Sequence, residues 1–151
     1  MFKLNDLLPH KPPMVLLSDY IDADTEIAIC RVDIGTSSPF FDTQKQGVPA
    51  YVGIEYMAQT VAVYSGAQGQ RLGQAPKVGF LLGTRKYHAQ VSHFHLGQQL
   101  EIRVKKVIED SSGLSVFQCE IISIDDSQLL VQAKLNVFQP DDVTTWLQEK
   151  V

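Results

Sequence analysis

"GVPAYVGIEYMAQTVAVYSGAQGQR", Gly47–Arg71, is the stretch on which the fold turns. Between Ala50 and Gln70 its only charged residue is Glu55. Pro49 suits the first turn of a helix, where a missing N–H costs nothing. From there the pattern predicts a helix to about Gly69, roughly 30 Å long. Apolar residues fall on nearly every face, so the helix is expected to be covered on nearly all sides. The run is long enough to suggest a membrane span. Glu55, Gln59 and Gln68 interrupt it, however, and no flanking topology signal supports insertion. A buried helix with no membrane span is expected.

Strand-like segments surround it. "MVLLSDYI" and "TEIAICRVDI" precede the helix, separated by "DADT". "GTSSPFFDTQKQG" reads as a loop. Four segments follow: "KVGFLLGTRKYHAQV", "QLEIRVKKVIED", "GLSVFQCEIISI" and "QLLVQAKLNVFQ". The second alternates Leu100, Ile102 and Val104; the last alternates Leu129, Val131, Ala133, Leu135 and Val137. "DSSG" and "DDS" are hairpin turns between them. "LNDLLPH" is a helical turn stopped by Pro12 and Pro13. "PDDVTTWLQEKV" predicts a short helix capped by Asp141 or Asp142. Strands, one central helix and a run of antiparallel strands define an α+β class. An antiparallel sheet wrapped around one long helix satisfies both patterns, over residues 1–151 as a single domain.

Composition removes several function classes. A chain of 151 residues buries roughly 70% of its unfolded surface. The net charge of −4 argues against a general nucleic-acid binder. Arg103, Lys105 and Lys106 form a local basic cluster, ordinarily a solvated strand face. "MFKLNDLLPHKPPM" lacks the cationic flank and long apolar run of a signal peptide, so a cytoplasmic location is expected. Cys30 and Cys119 sit in strand patterns and read as small buried hydrophobes. His93 and His95 of "HFH" fall on one side of a strand, with His88 nearby. No acidic or cysteine ligand accompanies them at useful spacing, so no metal is expected. Tyr51, Tyr56 and Tyr64 read as core and interface packing, while Gly53 and Ala58 are expected to let the helix approach the sheet closely. For Glu55 the residues alone leave two roles open: acid–base chemistry, or a structural hydrogen bond or polar interface.

"LLPHKPPMVLLSDYI", "SSPFFDTQKQGVPAYVGIEYMAQ" and "GFLLGTRKYHAQVSHFHLGQQLEIRV" together resemble the hotdog-fold 3-hydroxyacyl-[acyl-carrier-protein] dehydratases, from about Leu4 to Phe138. The E-x-M-A-Q signature, here Glu55, Met57, Ala58 and Gln59, is the most specific piece. "VGIEYMAQ", "FLLGTR" and "LNVFQP" are most similar to the branch associated with aryl polyene-type fatty acid synthesis. The resemblance implies a dimeric lyase that removes water from a 3-hydroxyacyl chain to give the 2-enoyl thioester. Its partner would be an acyl carrier protein bearing the chain on 4'-phosphopantetheine, and no bound cofactor is implied. In such enzymes a histidine and a carboxylate act from two subunits, and the carboxylate corresponds to Glu55. Held in apolar surroundings, a glutamate has its pKa raised and can donate a proton to the departing hydroxyl. The family's Pro-Gly pair is Pro49 and Ala50 here, so Ala50 or Tyr51 is expected to supply an oxyanion donor from the helix start. Gln59 and Gly83 complete the implied oxyanion and substrate-binding set.

One departure is conspicuous. The family's histidine lies in a Gly-His-Phe-Pro-Gly loop before the helix; here the loop is the shorter "DTQKQG". No histidine occurs between Pro39 and Glu55. Three readings follow. His10 of "LPHKPP" takes over as base, instead of only fixing the N-terminal turn. A different hotdog subunit brings the histidine, making the assembly a heterodimer in place of a homodimer. Or the chain is a catalytically silent acyl binder. A hotdog acyl thioesterase, whose helix carboxylate activates water, is the other enzyme alternative. Lys11, Arg85, Lys86 and the Arg103–Lys106 group are the candidate contacts for an acidic carrier.

Overall fold

Every strand of the main sheet runs antiparallel to its neighbours. The structure, a computed structural model, describes residues 3–73 and 80–139. In chain order it contains α1 (Leu4–Leu7), β1 (Asp19–Ala23), β2 (Ile27–Asp33), β3 (Gly47–Pro49), a 3-10 turn (Ala50–Val52), α2 (Gly53–Arg71), β4 (Phe80–Ala89), β5 (His93–His95), β6 (Gln99–Glu109), β7 (Leu114–Ser123) and β8 (Leu129–Phe138). Six strands form one sheet in the order β1-β2-β6-β7-β8-β4; β3 and β5 make a separate ribbon. The sheet wraps around α2 in the hotdog arrangement expected from the sequence.

The alternation in the strands sets the inner face. Leu100, Ile102 and Val104 of β6, Phe117, Cys119 and Ile121 of β7, and Val131, Ala133 and Leu135 of β8 are buried. Against them α2 places Met57, Val61, Val63, Tyr64 and Ala67. Tyr64 meets Phe117 edge-on with ring centroids 5.4 Å apart, a geometry aromatic pairs prefer. Tyr56 packs on Phe94 of β5 at 5.9 Å. Of the three tyrosines, only Tyr51 faces outward.

Close approach at two glycines fixes the helix. A Cβ on Gly53 would lie 2.6 Å from the Tyr87 hydroxyl and 2.8 Å from Ile121 Cδ1. At Gly66 it would overlap the Leu7 carbonyl, because α1 crosses the helix there backbone to backbone. Gly53 therefore serves as expected. Ala58 lines the cleft described below, together with Leu81 and Val137 of the sheet.

Several expected boundaries shift, each for a visible reason. "MVLLSDYI" does not begin as a strand; β1 starts at Asp19. The backbone of Met14 and Leu16 hydrogen-bonds to the Gln59 side chain instead of to a neighbouring strand. Pro49 is not in the first turn of α2 but closes β3 and precedes the 3-10 turn. The β3–β5 ribbon was not anticipated, since three-residue strands carry too little pattern to register. Helix α2 ends at Arg71, close to the expected stop. The helix expected in "PDDVTTWLQEKV" lies outside the described residues. Among the described residues, no helix is long and apolar enough to cross a membrane.

Cys30 and Cys119 are free and buried. Burial pushes the Cys30 thiol up to about 12, and raises Cys119 further in the same direction. Both behave as small apolar core residues.

Candidate active site

Helix α2 is buried along most of its circumference but not all. Glu55, Ala58, Ala62 and Ser65 stay partly exposed while Tyr56, Met57, Gln59, Thr60, Val61, Val63 and Tyr64 are buried. The open positions recur at spacings of three and four, which places them on one face. Three of the four have small side chains, so a trough runs down the helix below the carboxylate. Pro9 and His10 wall it on one side; Leu81 of β4, Val137 of β8 and the following Gln139 wall the other. The cleft so enclosed has a volume of about 370 Å³.

His10 and Glu55, far apart in sequence, meet at this cleft. The imidazole Nε2 lies 3.9 Å from Glu55 Oε1. That is longer than a hydrogen bond but within ion-pair range when the imidazole is protonated. The other ring nitrogen, Nδ1, is buried and has no hydrogen-bond partner among the described residues. The Glu55 side chain is 45% exposed and that of His10 29%. The apolar burial expected around Glu55 is thus not supplied by this chain; α2 presents the carboxylate to an open cleft.

Gln59 organises the pair. It is fully buried, and its Oε1 accepts from Leu16 N at 2.9 Å. Its Nε2 donates to Met14 O at 2.7 Å and to Glu55 Oε1 at 3.1 Å. One amide therefore joins the segment that carries His10 to the helix that carries Glu55. It is a bracket with its capacity in use, which differs from the substrate-contacting place expected for it.

At the helix start the two expected donors separate. Ala50 N–H donates to Ser92 O at 2.9 Å, and the Tyr87 hydroxyl donates to Ala50 O. With its N–H spent, Ala50 is corrected from an oxyanion donor to a structural link. Tyr51 N–H lies in the first turn, where no carbonyl four residues back is available within the helix. Its side chain is exposed, and Tyr51 is not among the residues that line the cleft. Burial raises the Tyr87 hydroxyl to about 12, keeping it a neutral donor. No sequence signal marked this tyrosine. Gly83 sits on β4 opposite Asn136, outside the residues that line the cleft.

The remaining histidines lie elsewhere. His93 Nε2 is 3.9 Å from Asp42 Oδ2, and its Nδ1 is 3.1 Å from Ser92 Oγ. Among the described residues, no three or more His, Cys, Asp or Glu side chains converge to hold a metal ion.

Comparison with known families matches residues 2–148 to the ApeP-like family, described as ApeP dehydratase. The chain belongs to this dehydratase family. The ApeP dehydratases are the branch to which "VGIEYMAQ", "FLLGTR" and "LNVFQP" pointed. Among solved structures, the dehydratase heterocomplex ApeI:P from Xenorhabdus doucetiae contains a chain 31% identical to this one. The match has a TM-score of 0.89 and covers 98% of this chain and 97% of that one. A Streptococcus mutans protein, smu.793 bound to acetyl CoA, is 13% identical with a TM-score of 0.64, covering 86% of this chain and 95% of that one. A hypothetical thioesterase with coenzyme A from Streptococcus pneumoniae TIGR4 is 12% identical with a TM-score of 0.63, covering 80% and 83%. At those identities the last two show the shared hotdog fold alone. A search among curated proteins gave no match.

Proposed function

We propose that this ApeP-like chain catalyses the dehydration of 3-hydroxyacyl thioesters on an acyl carrier protein, giving the 2-enoyl form, in the cytoplasm and within aryl polyene-type fatty acid synthesis. The observation that carries this reading is the meeting of His10 and Glu55 at the head of a trough lined by small residues.

The chemistry follows from the two groups. His10, unprotonated, takes the proton from C2 of the substrate. The C2–H electron pair becomes the C2=C3 double bond as the C3–O bond breaks. Glu55, protonated, gives its proton to the departing hydroxyl, and water leaves. Charge on the thioester oxygen is stabilised by Tyr51 N–H at the helix start. A proton passed from His10 to Glu55 resets the pair. No cofactor is required by this scheme.

Glu55 needs a cover to be desolvated, and this chain leaves it half open. A second hotdog subunit seated over the cleft provides one. We take that subunit to be a different chain, since the 31%-identical match comes from a dehydratase heterocomplex.

The test is mass spectrometry of the purified chain, alone and with such a partner, incubated with a 3-hydroxyacyl carrier-protein thioester. Loss of water from the acyl group is expected, abolished by Glu55→Gln and strongly reduced by His10→Ala. Activity that survives His10→Ala but needs the partner assigns the base to the partner. Release of free acid and thiol would replace dehydration with thioester hydrolysis. An intact substrate in both samples would leave a silent acyl-binding subunit.

A further inference from the structure

Strand register places cations in a row across the outer face of the sheet. Lys105 of β6 is opposite Gln118 of β7, Gln118 is opposite Lys134 of β8, and Lys134 is opposite Arg85 of β4. The inward neighbours Val104, Phe117, Cys119, Ala133 and Leu135 are buried. The row therefore points away from α2, with Lys105, Lys134 and Arg85 exposed. Opposed residues in adjacent antiparallel strands have Cβ atoms about 5 Å apart, and like charges placed so repel. Arg85 and Lys134 stand in that relation. Lys86, exposed beside Arg85 at an irregularity in the β4–β8 ladder, adds a fourth cation.

Other cations on this sheet are neutralised and these are not. Arg103 pairs with Glu101 at 2.9 Å, and Arg31 with Asp33 at 3.0 Å. Lys106 pairs with Glu109 and lies over the Tyr64 ring. Lys105, Lys134, Arg85 and Lys86 make no ion pair among the described residues. Between them is a shallow hollow of about 250 Å³ lined by Lys86, His88, Gln118, Gln132, Ala133 and Lys134. Two ammonium groups, an imidazole and two carboxamides make a surface suited to carboxylates. Glu120, one row over, is the acidic residue of the three strands β7, β8 and β4. A repulsive arrangement on a chain of net charge −4 is relieved by an acidic partner.

We propose that the row Lys105–Lys134–Arg85, with Lys86, is the surface on which an acidic acyl carrier protein docks. This rests on the cleft being an acyl-thioester site. The two lie on opposite faces of β4, the edge strand of the sheet: Arg85 stands on the outer face, and Leu81, four residues away across a register shift, lines the cleft on the inner face. Along the strand the separation is about 13 Å, and a carrier docked on the row would feed its pantetheine arm to the cleft around the β4 edge. The row supplies docking energy and association rate and takes no part in the elimination. Its attraction is screened by salt.

The experiment measures carrier binding and turnover separately, using the chain with its hotdog partner. Binding is read by titration calorimetry with a carrier protein loaded with an unreactive 3-hydroxyacyl amide. Lys134→Glu with Arg85→Glu is expected to weaken the carrier about tenfold at low salt, and the milder Lys134→Gln with Arg85→Gln less. Turnover of the same acyl group on free pantetheine is expected to stay unchanged, with wild-type melting curves. An unchanged carrier affinity, or no measurable carrier binding by the wild type, overturns the proposal. So does a parallel loss on free pantetheine, or a shift in sedimentation showing that the row joins copies of this chain. Carrier binding that depends on the row without any dehydration would retain the docking surface and discard the proposed reaction.

Discussion

Gln59 Nε2 lies 3.1 Å from Glu55 Oε1, one helical turn away, with its second hydrogen committed to the Met14 carbonyl. This contact ties the carboxylate's orientation to the path of the N-terminal segment. Gln59→Ala leaves Met14 O and Leu16 N without their partner in a part-buried place. It is expected to cost about 3 kcal/mol by urea denaturation, the sum of two unmet backbone groups. Gln59→Glu keeps the shape but removes the donor and sets a second carboxylate beside Glu55. Dehydration by that variant is expected to fall even where folding is retained, with the loss in kcat exceeding that in KM.

Gly66→Ala tests the crossing of α1 over α2. The new methyl would overlap Leu7 O, backbone against backbone, so one element must shift. A loss of about 2 kcal/mol is expected, read as a lower thermal midpoint. Because His10 follows α1 by three residues, turnover should fall more than stability explains. A Gly66→Ala chain with full stability and activity would remove the close approach from the account.

Tyr87→Phe deletes the hydroxyl that donates to Ala50 O while keeping the ring. The orphaned carbonyl is expected to cost about 1 kcal/mol. Its consequence for turnover separates a fixed helix start from an idle one. If the Tyr51 N–H is the oxyanion donor, kcat falls as the turn loosens.

Alkaline pH should unfold the chain early. The Cys30 thiol rises from 9.0 to about 12 on folding. Below pH 9 the thiol is protonated in both states and the fold loses nothing. Above pH 9 the unfolded thiol ionises and the folded one does not, so stability falls as pH rises from 9 towards 12. The slope approaches about 1.4 kcal/mol per pH unit for this one group. Burial raises Tyr87 in the same sense. Melting temperature followed from pH 8 to 11 should therefore decline, less steeply in Cys30→Ala. Iodoacetamide should label neither cysteine in the native state at pH 8.

Glu55 was visible in the sequence because a charge is conspicuous in an apolar run. The inward faces of β6, β7 and β8 were visible because alternation has a period of two. The part played by His10 was harder to see, since 45 positions separate the two residues and only the folded segment brings Nε2 to Glu55. Gln59 was marked by the family signature, but its bonds to Met14 and Leu16 depend on tertiary placement. Tyr87 gave no signal because a tyrosine in a strand pattern is ordinarily packing. Ala50 was expected as a donor from its place at the helix start, and the β3–β5 ribbon, invisible in the sequence, takes that N–H for Ser92 O. The basic row is a product of register. Lys105, Lys134 and Arg85 come from three strands, and no linear stretch contains them.

The segment from Leu7 to Leu16 is pinned at both ends, by Gly66 under Leu7 and by Gln59 between Met14 and Leu16. His10 stands in the middle of that span. Its address is set by main chain, while its buried Nδ1 has no bond of its own among the described residues. The imidazole is thus a tenant of the main chain: a change that shifted Leu7 or Gln59 would carry His10 away from Glu55 without touching the ring itself.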